Sequence, residues 1–287
     1  MQRLRVVLSL LALSLVTLVL LPVQWLAVRL DRPLAGRIPM WWHRIALALL
    51  RVRVLERGRP AEARPLLILS NHVSWLDISV IGSRMPLSFI AKAEVAGWPV
   101  FGLFARLQRT VFVDRTRRTD TGRVTSAIAV RLGRGDPMVL FPEGTSTNGS
   151  EVLPFRSALV GAARQTLADD RTLADKKPLA GEQGGSGTDG AGQRAMVQPL
   201  SIAYTRLAGL PMGRIKRPLV AWYGDMDLAP HLLALMAGPP VDVELSWGEP
   251  IPFGPGTDRK SVTAKAEDEV RAMTMAALTG RAATPAA

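Results

Sequence analysis

Three polar segments each follow an apolar run, and each carries side chains that can move protons or hold charge. The first is Ser70-Asn71-His72-Val73-Ser74-Trp75-Leu76-Asp77, directly after Leu66-Leu67-Ile68-Leu69. A histidine with a carboxylate five residues on forms a His–Asp pair if the turn folds back. The carboxylate then fixes the imidazole tautomer and stabilises the imidazolium. The other ring nitrogen is left to take a proton from a hydroxyl, help worth about 10² to 10⁴ in rate. Spacing alone leaves a second reading open: a helix N-terminus, with Asp77 bonding backbone amides and His72 merely satisfied.

The second segment is Phe141-Pro142-Glu143-Gly144-Thr145-Ser146-Thr147-Asn148-Gly149. An acidic residue leaving a core strand is placed to hold a hydroxyl acceptor. A plain strand-ending turn built on Pro142 and Gly144 accounts for the same residues. The third segment runs from Val111 through Asp114 and Arg115 to Arg117 and Arg118. Arginine presents a fork of donors suited to phosphate or carboxylate; a solvated basic loop is the alternative.

These segments need a frame. Past residue 51, short apolar runs alternate with helical stretches. Strands are predicted at 51–55, 66–69, 87–91, 110–113, 138–141, 197–204 and 241–247. Helices are predicted at 78–84, 98–107, 119–132, 157–166 and 260–278. Such alternation implies an α/β sheet covered by helices. The three polar segments then sit at strand ends, where α/β sheets place their sites. Residues from about 167 to 194 are polar and Gly-rich with no apolar period, and read as a flexible surface insertion.

Composition narrows the chemistry. The chain has 287 residues, 48% of them hydrophobic, enough for one large domain with appendages. It has no cysteine, which excludes disulfides, thiolate metal sites and a cysteine nucleophile. Its histidines are His43, His72 and His231, too few for a multi-histidine metal centre, and no cofactor is expected. The net charge of +12 suits an anionic surface. The basic residues are spread and lack a nucleic-acid motif, so a membrane is expected and nucleic acid is not.

Residues 6–28 carry no charge. About 20 residues of helix cross a bilayer core, so this run reads as a retained membrane helix. A cleaved signal peptide also starts this way, but no small-x-small pattern follows before Arg29. Arginines flank both ends, so orientation stays open. Residues 39–51 hold Trp41 and Trp42 beside Arg44, which suits the headgroup layer and equally suits a core-facing helix. Together the two segments could form a helical hairpin dipping into one leaflet. The expected division is 1–50 for membrane attachment and 51–287 for the remaining domain.

The motifs also carry a family resemblance. Asn71-His72-Val73-Ser74-Trp75-Leu76-Asp77 resembles the Asn-His-x4-Asp box of the glycerolipid acyltransferases, the family that includes 1-acylglycerol-3-phosphate acyltransferase. Val111 to Arg115 resembles its second block, Phe141 to Ser146 its third, and Val197-Gln198-Pro199-Leu200 its short fourth block, all in the family's order. The resemblance implies a mixed sheet flanked by helices, with an N-terminal membrane helix or hairpin. It implies His72 and Asp77 as the catalytic pair. Asn71, Arg115, Glu143, Gly144, Thr145 and Pro199 would serve substrate binding, Arg115 as the acceptor-binding arginine. The donor would be a thioester of acyl carrier protein or coenzyme A and the acceptor a lysolipid. The site would be on the cytoplasmic face of the bacterial inner membrane, single-pass or monotopic. No covalent acyl-enzyme is implied, and backbone amides would hold the oxyanion.

One departure bears on the acceptor. The family's third block usually ends in Arg, implied in binding acceptor phosphate, and position 146 here is Ser. Arg156 lies nearby and could substitute. The stretches 141–158, 201–213 and 221–231 are similar to the lyso-ornithine lipid acyltransferases of this family, whose acceptor is an amino-acid lipid with a free carboxylate and no phosphate. Lyso-ornithine lipid is therefore the favoured acceptor, with lysophosphatidic acid the alternative. A lipid hydrolase using Ser74 or Ser146 as nucleophile lacks a G-x-S-x-G elbow. A non-enzymatic membrane adaptor would have no need of His72.

Overall fold

The computed structural model describes residues 2–114, 121–161, 195–254 and 256–280. The strands are β1 (Val52–Arg57), β2 (Leu66–Ser70), β3 (Ser88–Lys92), β4 (Val111–Val113), β5 (Met138–Leu140), β6 (Ala195–Leu207), β7 (Leu210–Pro211), β8 (Val241–Trp247) and β9 (Ile251–Phe253). The helices are α1 (Gln2–Arg29), α2 (Leu34–Leu49), α3 (Leu76–Gly82), α4 (Phe101–Leu107), α5 (Thr121–Gly133), α6 (Leu228–Ala237) and α7 (Arg259–Thr279). The sheet order is β1-β8-β6-β2-β5-β3-β4, with β7 and β9 on β6. From β6 to β4 the strands are parallel, whereas β8, β7 and β9 run antiparallel to β6. The sheet is mixed and flanked by helices, as the resemblance implied.

Side chains on successive strand residues point to opposite faces, and β2 shows the consequence. Leu66 and Ile68 pack with α2, α3 and α6, while Leu67 and Leu69 pack with α5 and α7. All four are fully buried, the pattern of a central strand covered on both sides. Pro199 sits inside β6 without costing a ladder bond on its outer side. Pairing with β9 stops at Val197, and pairing with β8 starts at Leu200. The missing N–H falls in that gap.

Helix α1 has a mean hydropathy of 2.7 over its most apolar stretch and is long enough to cross a membrane. Leu8, Leu11, Leu15, Leu18 and Val19 along it are exposed. Its ends, however, are both tied to the domain. Arg5 Nη2 donates to the Met236 and Ala237 carbonyls at 3.0 Å, at the C-terminus of α6. Gln24 Nε2 donates to Leu107 O at 2.8 Å, and Arg109 pairs with Asp31 at 2.7 Å. Helix α2 uses both of its expected faces. Ile38, His43 and Leu47 are buried, and Trp41 and Ile45 are exposed. His43 bonds Ser79 and Gln108, each at 3.2 Å.

Most predicted elements appear within a few residues of their expected bounds. Of the helix predicted at 157–166, residues 157–161 form turns, and 162–166 lie outside the described residues. Phe155 and Val160 are buried there, so the chain satisfies its apolar contacts without a helical period. The insertion at 167–194 also lies outside the described residues. Helix α6 and strands β7 and β9 were not anticipated. α6 contains Pro230, at its third position, where a missing N–H is tolerated.

Candidate active site

Parallel pairing of β2 with β5 sends the chain out of both strands at one edge of the sheet. Residues 71–75 and the loop starting at Phe141 are therefore neighbours. They are joined directly, because Thr147 N donates to His72 O at 3.0 Å. Gly144 makes the tight turn between them possible, with φ +80. On the other side of β2, Asn71 locks on to β6. Its Nδ2 donates to Ile202 O and its Oδ1 accepts from Ile202 N, both at 2.9 Å.

Asp77 is wholly buried in the first turn of α3 and has four donors. Oδ2 lies 2.7 Å from His72 Nδ1 and accepts from Val73 N at 2.7 Å and Ser74 N at 3.0 Å. Oδ1 accepts from Tyr204 OH at 2.7 Å. The two readings of this segment are thus one structure: the carboxylate caps the turn and also orients the imidazole. The carboxylate holds the proton on His72 Nδ1, leaving Nε2 as a lone-pair acceptor. The ring stacks on Phe141, with centroids 4.2 Å apart and planes at 19°. Its side chain is 20% exposed, open enough for a substrate hydroxyl to approach.

Glu143 is buried, and its Oε1 accepts from Leu153 N at 3.3 Å. Among the described residues its Oε2 has no hydrogen-bond partner. Burial pushes its carboxyl up to about 8, against the opposing pull of the His72 and Leu153 amides. At neutral pH it keeps its proton and can offer a hydrogen bond. The folded state therefore binds a proton that the unfolded chain gives up near 4.5, and stability falls as pH rises from there to about 8. Glu143→Gln is expected to match wild type at pH 5 and to exceed it at pH 8, the gap opening by at most about 1.4 kcal/mol per pH unit. Thermal melts at the two pH values test this; a gap that does not change with pH would contradict it.

The hydroxyls considered as nucleophiles are engaged elsewhere. Ser74 is buried, its Oγ facing Leu76 N at 3.4 Å, and Ser146 Oγ donates to Trp222 O at 2.6 Å. Neither bonds His72. Thr145 is exposed beside the site, and so is Arg156, whose backbone N–H donates to Pro142 O at 3.0 Å. Pro199 lies in register with Leu69, inside the sheet. The second block leaves the same sheet edge from β4, three strands from β2, about 14 Å at the usual strand spacing. Asp114 is described there, and Arg115 lies outside the described residues.

Residues 51–180 match the family model described as Acyltransferase. The lyso-ornithine lipid O-acyltransferase of Brucella abortus is 44% identical, over 96% of this chain and 96% of that protein. The protein of the same name from Rhizobium meliloti is 39% identical, over 98% of this chain and 90% of its own length. The chain belongs to the acyltransferase family. The crystal structure of the 1-acyl-sn-glycerophosphate acyltransferase from Thermotoga maritima matches this acyltransferase with a TM-score of 0.61. The match covers 99% of this chain and 100% of that one, at 20% identity, a likeness of fold.

Several residues around the site of this acyltransferase escaped the motif reading. Tyr204 is one of only two tyrosines and lies on a strand whose alternation places it on the His72 side, yet nothing in the spacing links it to Asp77. Trp222 lies 76 residues from Ser146 and holds its place through Trp222 N to Val73 O at 2.9 Å. Trp75 Nε1 donates to His231 Nδ1 at 3.0 Å, steadying the first block from α6. Burial lowers the basicity of His231, in keeping with a neutral acceptor ring.

Proposed function

We propose that this acyltransferase moves a fatty acyl group from a thioester of acyl carrier protein or coenzyme A to the hydroxyl of lyso-ornithine lipid, giving ornithine lipid. The observation that carries the reading is His72 held through Nδ1 by a buried, four-donor Asp77. His72 Nε2 takes the proton of the acceptor hydroxyl as its oxygen attacks the thioester carbonyl. The C–S bond then breaks, and the leaving thiolate takes the proton back from His72. Asn71, Gly144 and Thr145 shape the loops around the hydroxyl, and protonated Glu143 can donate to an oxygen there. Arg115, Arg156 and Pro199 remain proposed substrate contacts from the motif resemblance. The names of the two full-length relatives support the choice of acceptor, and so does Ser146, whose hydroxyl is tied to Trp222 O and offers no cation to a phosphate.

Residues 1–50 would attach the enzyme to the cytoplasmic face of the bacterial inner membrane, and 51–287 would hold the chemistry. A crossing helix carries one end about 30 Å away from a domain on one side, whereas α1 is bonded to the domain at both ends. This favours monotopic attachment, with the exposed leucines of α1 in one leaflet.

The test is purified protein in phospholipid vesicles with both lysolipids and labelled acyl carrier protein or acyl coenzyme A. Lyso-ornithine lipid should be converted in preference. Exclusive conversion of lysophosphatidic acid would overturn the acceptor assignment. The chain has no cysteine, so Gln2→Cys and Leu30→Cys can be labelled in the same vesicles by an impermeant maleimide. Both should react from one side; protection of either alone would make α1 a crossing helix.

A further inference from the structure

Beyond β7 the chain turns back over the third-block loop. Gly213 O accepts from Lys216 N and Arg217 N, and Arg217 O accepts from Val220 N and Ala221 N, so a tight turn presents Arg217. The next residue, Trp222, is bonded to Val73 and Ser146, as described above. Arg217 belongs to none of the four motif blocks. It is 9% exposed, and among the described residues its one side-chain hydrogen bond is Nη1 to Ser150 Oγ at 3.4 Å. Gly149, next to Ser150, backs on to the residue after His72: a Cβ there would lie 3.0 Å from Val73 Cγ1. The guanidinium therefore stands at the same loop that positions Glu143 and Ser146.

A charge buried to this extent is normally paired. Arginine cannot escape the cost by losing its proton. Among the described residues Arg217 makes no ion pair, and its Nε has no partner at all. Burial and the nearby Arg214 both act against its charge. Trp222 Nε1 is a second buried donor without a partner on the same strip of chain. No described acidic side chain pairs with these two donors, so an anion carried by a bound lipid would complete this part of the site. The motif position expected to supply a cation holds Ser146, so the anion has no other described guanidinium buried at this loop.

We propose that Arg217, folded over the third-block loop by the segment after β7, binds the carboxylate of the acceptor lipid and so replaces the arginine missing at position 146. The inference rests on the reading of the acceptor as an amino-acid lipid. A planar guanidinium with a free Nε–H edge suits a carboxylate, which takes two parallel hydrogen bonds. The contact fixes the headgroup, and the hydroxyl is left to His72. Arg217 touches no reacting atom, so its loss should appear in KM more than in kcat.

The experiment uses the full chain in vesicles with saturating donor, and compares lyso-ornithine lipid with its carboxyl methyl ester. The ester keeps the hydroxyl and removes the negative charge. Wild type should prefer the acid by about 10- to 100-fold in kcat/KM, the worth of a charge-assisted pair. Arg217→Gln should raise KM for the acid by a similar factor and erase the preference over the ester. Arg217→Lys, which keeps the charge without the fork, should retain part of the preference, and it decides the matter if the glutamine variant folds poorly. Lys216→Gln, an exposed neighbour with the same change of charge, should leave the preference intact. Equal losses on acid and ester would reduce Arg217 to a structural role and overturn the proposal. So would a rise in KM for the thioester donor alone, which would assign the cation to donor phosphate. Wild type that cannot acylate lyso-ornithine lipid at all defeats the acceptor reading itself, before any variant is made, and this inference falls with it.

Discussion

His72→Ala is expected to lower kcat for acyl transfer by about 10³-fold, within the range that a positioned general base contributes. The fold should survive. The ring lies at the surface of the core on Phe141, and Asp77 keeps its bonds to Val73 N, Ser74 N and Tyr204 OH without it. The stability loss should be about 1 kcal/mol, the usual scale for a partly exposed truncation. The measurements are steady-state transfer from a labelled thioester and a thermal melt. Activity within tenfold of wild type would remove His72 from the mechanism and return the adaptor hypothesis to consideration.

Two substitutions of Asp77 should separate its charge from its bonding. In Asp77→Asn the amide can turn its oxygen to His72, Val73 and Ser74 and its NH₂ to Tyr204, whose hydroxyl also accepts. Each of the four partners then keeps one hydrogen bond to residue 77, although the Tyr204 O–H no longer has an acceptor there. The negative charge that stabilises the imidazolium is gone, so kcat should fall by roughly 10³ to 10⁴ while the melting temperature changes little. Asp77→Ala should lose activity to the same degree and destabilise the protein by about 3 kcal/mol or more. It leaves two buried amides and a buried phenol without acceptors. If the asparagine variant kept wild-type kcat, the carboxylate would be only a turn cap. If it unfolded as the alanine variant does, the geometric argument for amide rotation would be wrong.

The elements that position this pair were largely legible in the chain. β2 and β5 are uninterrupted apolar runs bounded by turn residues, and burial on both faces produces that pattern. The 157–161 segment misled because its apolar residues suggested a helical stripe, whereas Phe155 and Val160 find their contacts from turns. Helix α6 was obscured by Pro230, which reads as a breaker unless the helix is known to begin two residues earlier. Boundaries elsewhere drifted by a few residues because a helix end is set by its cap. Asp258 accepting from Ser261 N, one residue before α7, is such a cap.

The candidate site divides in the same way. Spacing alone put His72 and Asp77 in reach of each other, and the order of the four blocks implied their chemistry. Local sequence also determined the membrane-seeking character of α1, through 23 or so uncharged residues that the domain leaves mostly exposed. Only the tertiary structure decided what surrounds the pair. Tyr204 reaches Asp77 from 127 residues away, Ser146 meets Trp222 across 76, and Arg217 meets Ser150 across 67. Such contacts depend on which strands lie side by side, and strand order leaves no mark on local periodicity. The physical reason is that a short motif encodes bonds within its own turn. The Tyr204 hydroxyl that completes the donors around Asp77, and the buried cation without a described anion, come from chain brought there by the sheet.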